Sequence, residues 1–339
     1  MGLPFTSALA AACLALAPLA PLARATEVNV YSYRQPELVK PLFDAFTEET
    51  GIRVNTAFLK KGMVERLKAE GRRSPADLVF TVDIARLNAV VEAGLTRPVD
   101  SPVLRRNIPP AFRDPDGQWF GLTTRARVVF AARDRVADGE VTTYEDLADP
   151  KWRGRICSRA GTHSYNLSLT AAFLARNGEA ATRAWLTGLK ANLARKPQGN
   201  DRAQVKAVWS GECDIALGYT YYMGKMLTNP EQKPWADAVR IVFPVFEGGG
   251  THVNISGMAM TRAAPNRAEA LRLMEFLSSP RAQEIYAEQN FEYPVLEGAA
   301  LSEIVASWGS FTPYDRNLME IARLRKAALR LVEEVQFDN

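Results

Sequence analysis

Three observations in the 339-residue sequence predict an α/β protein of two lobes joined by a hinge, with an interdomain cleft. The chain is longer than one typical hydrophobic core needs. Its first third alternates strand and helix patterns, which argues for a parallel sheet with helices on both faces. Two further strand-like segments, "RARVVFAARD" and "VNISGMAMT", lead out of this unit and back into it. Two crossings imply a hinge, and clefts between domains are where small ligands bind.

The chain begins "MGLPFTSALAAACLALAPLAPLARA", which predicts a signal peptide at 1–25 cleaved near Ala25. The apolar run is short and broken by Pro18 and Pro21, and Ala23 and Ala25 fit an A-x-A cleavage site. That length and those prolines argue against a lone membrane anchor. Cys13 has no leucine three positions before it, which argues against a lipid-anchored start.

In the mature chain "VNVYSY" alternates as a strand, and Leu38, Val39, Leu42, Phe43 and Phe46 form one helix face that stops at Gly51. "RVNTAF" and "ADLVFTVD" read as strands, "KGMVERLKAEG" and "IARLNAVVEAGL" as helices. In the second unit "TTYEDLADPKWRGRICS" gives a short helix and a strand, with helices near 165–176, 179–193 and 201–210 and the strands "CDIALG" and "VRIVFPVF". Helices beginning at Pro265 and Pro280 close the chain. The expected boundaries are 26–124 plus 250–339 for the first lobe and 125–249 for the second.

The formal charge of +4 falls by one unit when Arg24 leaves with the leader, and no basic block stands out. No nucleic-acid partner is expected. Two histidines, and no Walker-type loop, zinc spacing or G-x-S-x-G elbow, leave little material for an enzyme. An exported chain left with Cys157 and Cys213 most simply forms one disulfide. It closes a loop of about 57 residues, for about 4 kcal/mol in the chain-entropy model.

Two segments share a layout. Tyr165 lies as far beyond Cys157 as Tyr221 lies beyond Cys213, and each tyrosine follows an N-cap residue type, Ser164 or Thr220. Tyr165, Tyr221 and Tyr222 are therefore expected in first turns of helices. Free N–H groups there favour an anionic neighbour, and two adjacent side chains diverge by only about 100°. Three phenolates would suit a hard, triply charged ion such as Fe³⁺, with an arginine-held anion filling the remaining positions. The residues alone also allow packed tyrosines or a stacking platform for an organic solute. Asp83 reads as a helix cap, Arg86 as its neighbour in the same turn, and Trp119 and Trp152 as core.

Taken in order, "VNVYSYRQPELVKPLFDAFTEETGI", "KKGMVERLKAEG", "SPADLVFTVDIARL", "RARVV", "YEDLADPKWRGRIC", "GECDIALGYTYYMGKM" and "GTHVNISG" resemble the ferric-iron-binding periplasmic proteins of ABC importers, over nearly the whole mature chain. The resemblance implies a type II periplasmic binding protein fold, a monomer closing on Fe³⁺, and delivery to an inner-membrane ABC permease. It implies ligands at Tyr165, Tyr221 and Tyr222, with Tyr219 a neighbour. A synergistic carbonate or bicarbonate would sit on Arg125, on Arg127 two residues along the same strand face, or in second rank on Arg34. Asn254 and Ser256 would line the hinge or bond the tyrosine hydroxyls. Where many relatives carry His-Tyr, this chain has Gln35 and Pro36, which favours three tyrosines plus a bidentate anion. His163 and His252 read as supporting or solvated side chains. A binder of another solute (an oxyanion, a polyamine or a thiamine-like cation) is the alternative.

Overall fold

The computed structural model describes residues 26–339. The expected signal peptide, its cleavage near Ala25 and Cys13 lie outside the described residues.

The first lobe is built from β1 (Glu27–Ser32), α1 (Pro36–Thr50), β2 (Arg53–Phe58), α2 (Met63–Glu70), β3 (Leu78–Thr81) and α3 (Ile84–Glu92), followed by the short α4 (Pro102–Asn107). β1 lies between β2 and β3 and is parallel to both, as the alternation predicts. α1 buries Val39, Leu42, Phe43, Ala45 and Phe46. Asp83 caps α3 by accepting a hydrogen bond from the Ala85 N–H at 2.9 Å.

The lobes are joined by β4 (Phe120–Ala132), a 13-residue strand buried along its whole length. The second lobe then adds β5 (Ile156–Cys157), α5 (Ser164–Ala191), α6 (Asp201–Trp209), β6 (Ile215–Tyr219), α7 (Tyr221–Leu227), α8 (Lys233–Asp237) and β7 (Val239–Val242) before β8 (Val253–Met260) returns. The first half of β4 pairs antiparallel with β8, and from Arg127 onward it pairs with β6. β8 also runs antiparallel to β3, so the first lobe's sheet is mixed rather than purely parallel. The reason is topological: β8 arrives from the other lobe and can only enter in the opposite direction. Strand order is β2-β1-β3-β8-β4-β6-β5. Within α5, Gly178 adopts φ 76° and ψ 175° and breaks the helix where two separate helices are expected.

α9 (Arg267–Leu277) and α10 (Pro280–Asn290) pack with α1 over the first lobe's core, and β9 (Tyr293–Pro294) pairs with β4. The chain ends with α11 (Glu303–Ala306), α12 (Leu318–Arg323) and α13 (Arg325–Glu334). α12 lies between α3 and α5, and α13 runs along α5. The end of the chain thus bridges both lobes, whereas 250–339 is expected within the first. Its apolar face (Ala328, Leu331, Val332) finds its partner on α5, and Asp338 accepts hydrogen bonds from the N–H groups of Gly161 and Thr162 just before that helix. The expected Cys157–Cys213 disulfide is present, with Cα atoms 5.9 Å apart, and staples β5 beside the start of β6.

Candidate metal centre

Strand ends and helix starts bring the tyrosines together. β6 ends at Tyr219 and α7 begins at Tyr221, while Tyr165 sits in the first turn of α5. Tyr165, Tyr221 and Tyr222 line one cavity of about 180 Å³ between the lobes, together with Tyr33, Arg34, Arg86, Arg125, His163 and Glu292. The rings of Tyr221 and Tyr222 lie 4.1 Å apart and are tilted by 32°, so adjacent residues do converge, as a helix start allows and a strand would not.

The caps differ from expectation. Thr220 is itself in the helical region (φ −51°, ψ −44°) and makes no side-chain cap bond. Its hydroxyl is buried without a partner. At α5 the cap is His163 rather than Ser164, because His163 is the last extended residue and Ser164 already starts the helix. The His163 Nδ1 accepts from the Tyr165 N–H at 3.2 Å, and its ring meets the Tyr165 ring edge-on at 4.7 Å. Burial, with the Arg159 charge behind it, pulls the imidazole down to about 4, so it is a neutral acceptor at pH 7.

Tyr219 is buried below the cavity and does not line it. Its ring lies under two guanidinium groups, Arg125 at 5.3 Å and Arg127 at 5.0 Å, which confirms that these arginines share a strand face. Their partners separate them. Arg127 donates to Asp201 at 3.0 Å and to Asn166 at 2.5 Å, and it lies outside the cavity. Arg125 lines the cavity, and only its Nη1 is engaged, donating to Ser256 at 3.0 Å. Its Nε and Nη2 are buried with no partner. Burial opposes its charge, but Glu292 and the surrounding phenols outweigh that and hold the guanidinium above its ordinary range.

Arg34 also lines the cavity, but both its terminal nitrogens are engaged by Glu292 and Ser256. Asn254 donates to Asp83 at 3.0 Å and to Ser168 at 3.1 Å, tying the hinge strand β8 to both lobes. Ser256 bonds the arginines. His252 is buried against Ser168 at 3.0 Å, away from the cavity. Arg86 lies over the Tyr33 ring at 4.6 Å. Sequence reasoning missed Glu292. The available signal was a lone carboxylate inside the apolar run "NFEYPV".

Burial and mutual repulsion raise the phenols of Tyr221 and Tyr222 well above their ordinary range, so without a cation both stay protonated. Among the described residues no three His, Cys, Asp or Glu side chains gather as a metal site. The side-chain oxygens that predominate in the cavity are those of the phenols, hard donors once deprotonated.

A family model described as bacterial extracellular solute-binding protein matches residues 73–320. The chain belongs to that family. As a solute-binding protein it is a binder and not an enzyme. The chain is 46% identical over 311 residues to iron uptake protein A1 of Synechocystis sp., covering 91% of this chain and 86% of the relative. Among solved structures it is similar to ferric iron-binding protein A of Mannheimia haemolytica in an open conformation (TM-score 0.89, 52% identity, 93% of this chain and 100% of that one). It is similar too to the Trichodesmium protein IdiA (FutA) in complex with iron and citrate (TM-score 0.88, 40% identity, 92% and 99%). This solute-binding protein has their two-lobed α/β fold.

Proposed function

We propose that this solute-binding protein captures Fe³⁺ in the periplasm and delivers it to an ABC permease. Tyr165, Tyr221 and Tyr222 supply three phenolates, and a bidentate carbonate on Arg125 completes the coordination. The observation that carries this reading is the convergence of three phenols, from two segments joined by a disulfide, on one cavity that is also lined by Arg125, whose Nε and Nη2 are buried without a partner. The names of the relatives point the same way: an iron uptake protein and ferric iron-binding proteins.

The chemistry is consistent. A trivalent cation displaces the protons that burial otherwise keeps on Tyr221 and Tyr222, and three phenolates balance its charge. An oxyanion binder would use Arg125 and leave the phenols idle. Within the site, Arg127 acts as a structural partner of Asp201, Asn254 as a hinge tie, and Ser256 as the support of the arginines. The protein acts as a monomer.

The test is direct. Ferric iron and bicarbonate added to stripped protein give a visible phenolate-to-iron charge-transfer band and raise the melting temperature. A colourless sample whose melting is indifferent to iron would overturn the reading.

A further inference from the structure

We infer that Glu292 is a built-in counter-anion that sets the anion specificity of the cleft. By occupying the fork of Arg34 it leaves the Nε/Nη2 edge of Arg125 as the unfilled guanidinium edge at the hinge strands, and so favours one planar, bidentate oxyanion there. The inference rests on the proposed iron site and deepens it.

Glu292 is 1% exposed, yet it lines the cavity. Its carboxylate accepts from both terminal nitrogens of Arg34, from the Thr123 hydroxyl and, at 3.4 Å, from the Ser256 hydroxyl. Thr123 lies on β4 and Ser256 on β8, so the carboxylate is anchored on both hinge strands. With its lone pairs directed at these donors, Glu292 serves the arginine rather than the metal.

The two arginines now present different edges. The Nη1/Nη2 edge of Arg34 is filled from within the protein. The Nε/Nη2 edge of Arg125 is buried and empty-handed. Two parallel N–H groups on such an edge match two oxygens of a planar anion. The third oxygen of a carbonate can turn away without needing another donor. A phosphate or citrate carries further charged oxygens, which would need a second cation. Arg34, which shares Ser256 with Arg125, is neutralised, and the Glu292 charge repels them. Arg86 lines the cavity too, but its guanidinium lies over the Tyr33 ring at 4.6 Å.

The experiment loads stripped protein with Fe³⁺ in bicarbonate, phosphate or citrate, and reads the charge-transfer band together with iron affinity by chelator competition. The wild type should bind iron at least tenfold more tightly with bicarbonate than with either other anion. Glu292→Gln should free Arg34 and raise phosphate- or citrate-supported affinity at least tenfold relative to bicarbonate. The double variant Arg34→Gln/Glu292→Gln should return to the wild-type order. A wild type without that preference overturns the inference. So does a folded E292Q that keeps the wild-type order, or a double variant that keeps the E292Q gain. Should E292Q fail to fold, the wild-type order decides. A wild type that gives no band with any anion removes the iron reading and this inference with it, which distinguishes the two failures.

Discussion

Gly224 of α7 lies directly beneath the ring of Phe291, so close that a Cβ on the glycine would sit 2.2 Å from Phe291 Cγ. Phe291 ends α10 in a left-handed conformation (φ 56°), and next to Gly224 the Lys225 ammonium donates to the Gln289 carbonyl at 2.6 Å. The helix that carries Tyr221 and Tyr222 is thereby seated on the first lobe. The loop it rests on is the one that presents Glu292.

Gly224→Ala is accordingly expected to push α7 off its seat and weaken iron binding by about tenfold or more, since overpacking typically costs about 1–3 kcal/mol. Gly224→Ala combined with Phe291→Ala should recover most of that loss. Iron titrations of the single and double variants check the seat, and a single variant with unchanged affinity would discredit it.

The tyrosines are expected to divide sharply. Phenylalanine at Tyr165, Tyr221 or Tyr222 should bleach the charge-transfer band and greatly weaken binding. Tyr219→Phe should leave both nearly intact. It should also hold or raise the melting temperature, because the hydroxyl it removes is buried without a partner, a state that costs about 1–3 kcal/mol. Equal effects at all four positions would refute the ligand assignment.

Arg125 and Arg127 are expected to fail in different ways. Arg125→Gln should abolish the dependence of iron binding on bicarbonate and leave the fold stable. Arg127→Gln leaves the fully buried Asp201 with Arg159, at 2.9 Å, as its remaining ion-pair partner, and should destabilise the fold by about 3 kcal/mol. Denaturant melts set beside anion titrations separate the two.

His252 makes the iron-free protein acid-sensitive. Burial, with Arg127 and Arg125 adding to it, depresses the imidazole to about 3. Below its ordinary value the unfolded chain binds a proton that the folded one refuses. Stability from this group is therefore present above about 6.5 and declines by up to about 1.4 kcal/mol per pH unit as pH falls towards 3. His252→Asn should flatten that slope by one proton, measured in urea melts between pH 7 and pH 4. An unchanged slope would remove the histidine from the account.

Local pattern was enough for the strand and helix order of the first lobe, the outward and returning strands β4 and β8, the single disulfide, and the helix-start placement of Tyr165, Tyr221 and Tyr222. Each of these depends on residues within a few turns of one another, or on a count of cysteines. Arg125 and Arg127 could not be ranked that way, because both face one side of β4 and only their partners differ. Arg127 meets Asp201, 74 positions away, and Arg34 meets Glu292, 258 positions away. The caps went astray for a smaller reason: Ser and Thr are good cap types, but the backbone turned helical one residue early at Ser164 and at Thr220. Sequence by itself determined that three phenols and an arginine of β4 reach the cleft, but not that a carboxylate joins them. The tertiary structure decided which of their charges are already neutralised, because the partner a buried ionic group finds, or lacks, comes from segments far away in the chain.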